Sequence, residues 1–182
     1  MGAQYYLMAQ LPDISAVGEK QALPITEAYF RDLCARFLSA KGRKILDGLS
    51  LVPPNADAST GSAFVDAWYE NERALRLGLA QVRALSMKKE SVQLTGFCTG
   101  DVLQAARTAV GMSSPLAAEQ YLYQYRLSLL DRLMPADGFS EDAVFAYGIR
   151  LMLTQRIKKF NTETGLASYH TIYERILNTS EC

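Results

Sequence analysis

Residues 64–84 read FVDAWYENERALRLGLAQVRA, and the fold turns on how this stretch is read. It has no proline and one glycine, Gly78. Val65, Trp68, Leu75, Leu79 and Val82 recur at helical spacing and make an apolar stripe. The pattern predicts a helix from Ser62 to Met87, which at 1.5 Å per residue spans roughly 35–40 Å. Glu72 and Arg76 stand at i,i+4, and Glu70 and Arg73 at i,i+3. Such pairs contribute only about 0.2–0.5 kcal/mol each on an exposed face, so the stripe rather than the charges drives helix formation. Glu70 and Glu72 are two positions apart and point in different directions, which argues against a pair of catalytic carboxylates. Glu72 interrupts the apolar stripe, and if buried it needs an arginine partner.

The segments on either side read in the same way. Residues 5–11, YYLMAQL, fit either a strand or a helical turn, and residues 13–25 a loop with Gly18 and Pro24. Thr26 is placed to cap a helix carrying Phe30, Leu33, Cys34, Phe37 and Leu38, which Gly42 is expected to break or bend. A short helix with Ile45, Leu46 and Leu49 facing inward is expected to stop at Pro53-Pro54, and residues 53–62 form a loop. Thr99-Gly100-Asp101 opens a helix with Val102, Leu103, Ala106 and Val110 on one side. Ser114 followed by Pro115 opens another that runs to about Met134, with Leu122, Tyr125, Leu129 and Leu133 on its face. Ser140 caps a helix through Phe160, with Phe139 placed to staple onto Val144 and Arg156, Lys158 and Lys159 in the last turns. Gly165 is expected to separate it from a last helix carrying Tyr169, Ile172, Tyr173 and Ile176. No alternation is long enough for a sheet. The expected fold is all-α: a single domain over residues 1–182, an antiparallel bundle of long helices in which the 53–62 loop separates an N-terminal helical pair from the main bundle.

Composition narrows the function classes. Of the 182 residues 49% are hydrophobic, enough for a real core, and 19 basic residues balance 19 acidic ones. The balance holds in each half, with 11 basic and 10 acidic residues in 1–91 and 8 and 9 in 92–182. That argues against nucleic acid as a partner. Cys34, Cys98 and Cys182 are odd in number and far apart, which suits a reducing compartment better than a disulfide framework or a CxxC site. The N-terminal MGAQYYLMAQLP lacks the charged start and apolar run of a secretory signal, and Tyr6 breaks the myristoylation pattern after Gly2. No run approaches the ~20 apolar residues of a membrane span. A cytoplasmic protein is expected.

Reactive motifs are scarce. His170 is the single histidine, which excludes paired Glu-x-x-His and HExxH metal chemistry. A Cys98–His170 dyad has no local support. Gly96 and Gly100 flank FCT without the G-K-[ST] of a phosphate loop and read as a helix start. Tyr121, Tyr123 and Tyr125, in YLYQYR, fall on more than one helix face and point equally to protein contact and to packing among several helices.

Three stretches carry a likeness to known sequences: YYLMAQLPDIS, WYENERALRLGLAQVRA, and SEDAVFAYGIRLMLTQRIKKFNTETGLASYHTI. Together they resemble a bacterial family of uncharacterised proteins encoded beside V-type ATPase or ATP synthase subunits. That family has a YYYLVASLP-type start and a late segment of the form AY-x-(L/I)-K-L-x-x-x-x-R…G. Here the late segment is AYGIRLMLTQRIKKFNTETG, with Arg150 where lysine is expected. The family is in turn similar to the C-type subunit of V-type ATPases (the d-type subunit in eukaryotes), an all-helical funnel between central stalk and rotor ring. That funnel protein is roughly twice as long and built from repeated three-helix units, so this chain corresponds to part of such a funnel.

The resemblance implies a non-catalytic subunit or accessory that couples or assembles the central stalk and the membrane rotor ring. Its partners would be stalk or ring proteins. It would need no cofactor or metal, and would meet the cytoplasmic face of the inner membrane only through those partners. A helical adaptor with an unrelated protein partner is the alternative, and a small enzyme using Cys98 or a carboxylate cluster a third. The residues expected at an interface or in buried ion pairs are Trp68, Glu72, Arg73, Arg76, Tyr121, Tyr123, Arg150 and Arg156.

Overall fold

The computed structural model describes residues 3–15, 21–87, 99–160 and 162–179. Among these residues the chain is all-helical: α1 (Ala3–Gln10), α2 (Glu27–Phe37), α3 (Ala40–Asp47), α4 (Ala63–Ser86), α5 (Gly100–Gly111), α6 (Pro115–Leu133), α7 (Glu141–Lys158) and α8 (Thr162–Thr179). The short N-terminal apolar run, ambiguous in sequence, is α1.

Hydroxyl caps open most of the helices. The side chains of Thr26, Ser62, Ser114 and Ser140 each accept a backbone N–H three residues on, which satisfies a donor that the first turn leaves free. Pro115 fills the first position of α6, where no donor is lost. Two glycines act differently from expectation. The break between α2 and α3 falls at Leu38 and Ser39, and Gly42 lies inside the first turn of α3, donating to the Ser39 hydroxyl at 2.9 Å. Gly165 lies inside α8. The short helix stops at Gly48, five residues before the prolines, and Leu49 turns inward from outside the helix. Helix α7 ends at Lys158, two residues short of Phe160. Phe139, placed in sequence to staple onto Val144, lies half exposed with its ring against Tyr5.

Helix α7 is buried nearly all round, from Ala143 and Val144 to Leu153 and Thr154, and packs against α1, α2, α3, α4 and α6. A helix without a polar face belongs at the centre. It allows α2 to come close at Gly148, where an added Cβ would lie 3.0 Å from the Phe30 ring. The apolar residues gather in two clusters. The larger joins α1, α2, α3 and α7 to the first half of α4 (Phe64, Val65, Trp68, Tyr69) and the second half of α6 (Leu129, Leu130). The smaller joins Ala74, Leu75 and Leu79 of α4 to Val102, Ala106 and Ala109 of α5 and Leu122 of α6. Helices α2 and α3 thus share a core with α4 and α7, although the 53–62 loop separates them in sequence.

Candidate functional site

The N-terminus of α7 acts as a clamp. Glu141 and Asp142 occupy its first turn, where carboxylates suit the helix dipole. Glu141 also accepts from the Ser39 backbone N–H at 2.8 Å and the Ser39 hydroxyl at 3.1 Å, so it caps α3 as well. Asp142 accepts at 2.7 Å from the Ser62 hydroxyl, which itself caps α4. One helical turn therefore fixes the starts of three helices. Gly42 leaves room for this carboxylate: an added Cβ would lie 2.7 Å from a Glu141 oxygen, and the Glu141 side chain would have to shift. Beside this clamp, Asp66 accepts from the Thr60 N–H at 2.8 Å, the Thr60 hydroxyl at 2.7 Å and the Ser59 hydroxyl at 2.7 Å. Burial pushes its carboxyl up, but these hydrogen bonds outweigh it and hold the group below the ordinary 3.8.

A buried charge centre lies where the two apolar clusters meet. Glu72 is 1% exposed and Arg126 7%. Arg126 grips the carboxylate with both edges of its fork, Nε to Oε2 at 2.8 Å and Nη2 to Oε1 at 3.0 Å. Arg76 adds a third bond at 2.8 Å and reaches the Leu51 carbonyl at 3.0 Å. The arrangement ties α4 to α6 and to the segment after α3. Both partners of the Glu72–Arg126 pair are desolvated, so the fork sets the register of α4 against α6 more than it adds net stability. Arg126 is the residue that sequence reasoning missed. It stands between Leu122 and Leu129 on the apolar face of α6, and a charge on such a stripe was the available signal.

The other expected residues scatter. Trp68 is fully buried in the larger cluster, and its indole N–H has no partner among the described residues. Arg73 donates to the Pro54 carbonyl at 3.2 Å rather than pairing with Glu70. Tyr121 and Tyr125 pack on the smaller cluster. Tyr123 packs on the larger one, with its hydroxyl 3.1 Å from that of Thr154. The tyrosines on different faces of α6 therefore serve two internal clusters. Arg150 pairs with Asp131, and Arg156 with Glu119 at 3.2 Å. Lys158 reaches the Gln21 carbonyl at 2.6 Å. Cys34 is fully buried, and burial pushes its thiol up to about 12, so it is a core residue and not a nucleophile. His170 is exposed on α8 beside Tyr169, while Gly18, Gly96, Cys98 and Cys182 lie outside the described residues.

Two apolar surfaces face outward. At the α7 end of the molecule, Tyr5 packs against Phe139 at 4.8 Å and Tyr6 at 5.9 Å, and all three rings are well exposed. The second surface is α8, where Leu166, Tyr169, Ile172, Tyr173, Ile176 and Leu177 are each 49–60% exposed. Among the described residues no helix is long and apolar enough to cross a membrane. Between α5 and α6 a shallow groove of about 390 Å³ is lined by Asp101, Tyr121, Gln124, Tyr125, Ser128 and Arg132. Asp101 and Arg132 bridge at 3.5 Å there, each at least half exposed.

Compared with known proteins, the chain matches no family model, no curated protein and no solved structure.

Proposed function

We propose that this chain is a non-catalytic helical adaptor whose place is between the central stalk and the rotor ring of a V-type ATPase or ATP synthase, as a permanent component or an assembly accessory. One observation carries the reading. The stretches that resemble the V-type-associated family, far apart in sequence, meet in space: α1 and α4 both pack on α7. Tyr147 of α7 donates to the Pro12 carbonyl at 2.9 Å, and Tyr5, beside Tyr6 in the N-terminal stretch, meets Phe139, the residue just before the late stretch. The parts of the three stretches that form α1, α4 and α7 are then one packed unit with an aromatic face beside it. Aromatic side chains of this kind anchor protein interfaces.

The V-type setting rests on the sequence resemblance, and with it the funnel-like antiparallel arrangement and a peripheral position on the inner membrane. The clamp at α7 and the buried charge centre support a mechanical role, since both hold helices in register. The experiment is affinity capture of the tagged chain from its native cell, read by mass spectrometry. Stalk or ring proteins are expected with the wild type, and their loss with Tyr5→Ala, Tyr6→Ala and Phe139→Ala combined. An active V-type complex that assembles fully without the chain, and never retains it, would sink the reading.

A further inference from the structure

The apolar face of α8 is the second of the two outward surfaces. The helix runs 18 residues from Thr162 to Thr179, and among the described residues it shares no packing with the other seven helices. Its outward residues are ordered as a seam. Leu166, Tyr169, Tyr173 and Ile176 follow the 3–4–3 spacing of a two-helix interface, and Ile172 and Leu177 widen the stripe on either side. These six side chains expose on the order of 600–700 Å², at or above the largest apolar patch that a monomer usually shows. An amphipathic helix of this length is marginal in water without packing.

We infer that a second copy of the chain covers this face, with α8 pairing against α8 about a two-fold axis. The area fits: two such stripes meeting would bury about 1,000–1,300 Å², the lower range of specific interfaces. The charge fits as well. The chain has formal net charge 0, and α8 carries Glu163, Glu174 and Arg175, so the whole molecule does not repel its copy and the helix brings one excess negative charge near its start. That balance also argues against an anionic bilayer as the occupant, since surface-lying helices draw on lysine and arginine along the polar face. In an antiparallel pair centred near Thr171, Tyr169 of one copy lies beside Tyr173 of the other. Each pairs with its own equivalent contact, which closes the dimer and leaves no free seam. The inference does not rest on the V-type reading, because the Tyr5–Tyr6–Phe139 surface lies on other elements.

Sedimentation of the full chain at about 1–100 μM is the test. Wild type is expected to show a concentration-dependent dimer. Tyr169→Asp with Tyr173→Asp is expected to raise the dissociation constant more than about thirtyfold, the loss typical of interface anchors. A photo-crosslinker at Ile172 gives a second readout that leaves the stripe's tyrosines in place, with crosslinks expected to map to α8 of the other copy. A monomer throughout the range overturns the inference, as does a dimer that the double variant leaves intact or crosslinks that map elsewhere. A chain that stays monomeric in water but floats with vesicles of mixed neutral and anionic lipid also overturns it, and assigns the face to a membrane.

Discussion

Removing Arg126 is the most direct perturbation of the buried charge centre. In the variant Arg126→Leu, Glu72 keeps its place at 1% exposure but loses the fork that held both its oxygens at 2.8 and 3.0 Å. Breaking a buried pair from one side costs about 3–5 kcal/mol, because a charge is left in the interior without its partner. The remaining Arg76 bond at 2.8 Å offsets part of this, which places the expected loss near the lower figure, about 3 kcal/mol. The second arm of the test removes both charges. Glu72→Leu with Arg126→Leu should come within about 1–2 kcal/mol of the wild type, since an apolar replacement of a buried pair is close to neutral. Arg76, more than a third exposed, can turn to solvent. Urea unfolding reads these values through the fluorescence of Trp68, the single tryptophan, which sits fully buried one turn before Glu72. With a slope of about 2 kcal/mol per molar urea, the single variant should shift the midpoint by about 1.5 M. A single variant costing under about 1 kcal/mol, or a double variant as unstable as the single, would refute the reasoning.

Three further outcomes follow from the packing and the titrating groups. Gly148→Ala should destabilise by about 1–3 kcal/mol, because its Cβ would stand 3.0 Å from the Phe30 ring and 3.3 Å from Leu49 in a filled core; calorimetry or urea unfolding checks this. Asp66 has a folded pKa below its ordinary value, so ionisation favours the folded chain. Its contribution is complete above about pH 4 and is lost as the pH falls through the lowered value, and Asp66→Asn should flatten the acid limb of the stability curve there. Cys34 in a chain with Cys98→Ser and Cys182→Ser should resist a disulfide reagent at pH 8 while folded and react once denatured, because its thiol is buried and its pKa lies near 12; rapid labelling of the folded chain contradicts this.

Much of the helix plan was legible because it is written in local chemistry. Ser62, Ser114, Ser140 and Thr26 cap where a hydroxyl precedes an apolar stripe, and each hydrogen bond spans only three residues. Gly42 and Gly165 were misleading for the opposite reason. Glycine reads as a breaker in sequence, but Gly42 leaves room for Glu141, about a hundred positions along the chain, and Gly165 sits within α8. The 53–54 prolines overstated the short helix, which had already ended at Gly48. At the charge centre, the position of Glu72 on an apolar stripe announced a buried carboxylate, and Arg76 was within local reach. Arg126 was not, because its pairing depends on how α6 crosses α4. Of the residues expected at an interface or in buried ion pairs, Glu72 and Arg76 meet in the charge centre. Trp68, Tyr121 and Tyr123 pack inward, while Tyr5, Tyr6 and Phe139 are among the aromatic rings that face out, and their meeting requires α1 to fold against the start of α7.

The central claim, a protein-holding body rather than a catalyst, is tested most directly by quantitative affinity capture from the native cell. The account predicts V-type stalk or ring proteins recovered in near-stoichiometric amounts with the wild-type chain and reduced at least about tenfold when Tyr5, Tyr6 and Phe139 are all changed to Ala. Capture that yields none of these proteins, from cells in which the V-type complex is assembled and active without the chain, would contradict it.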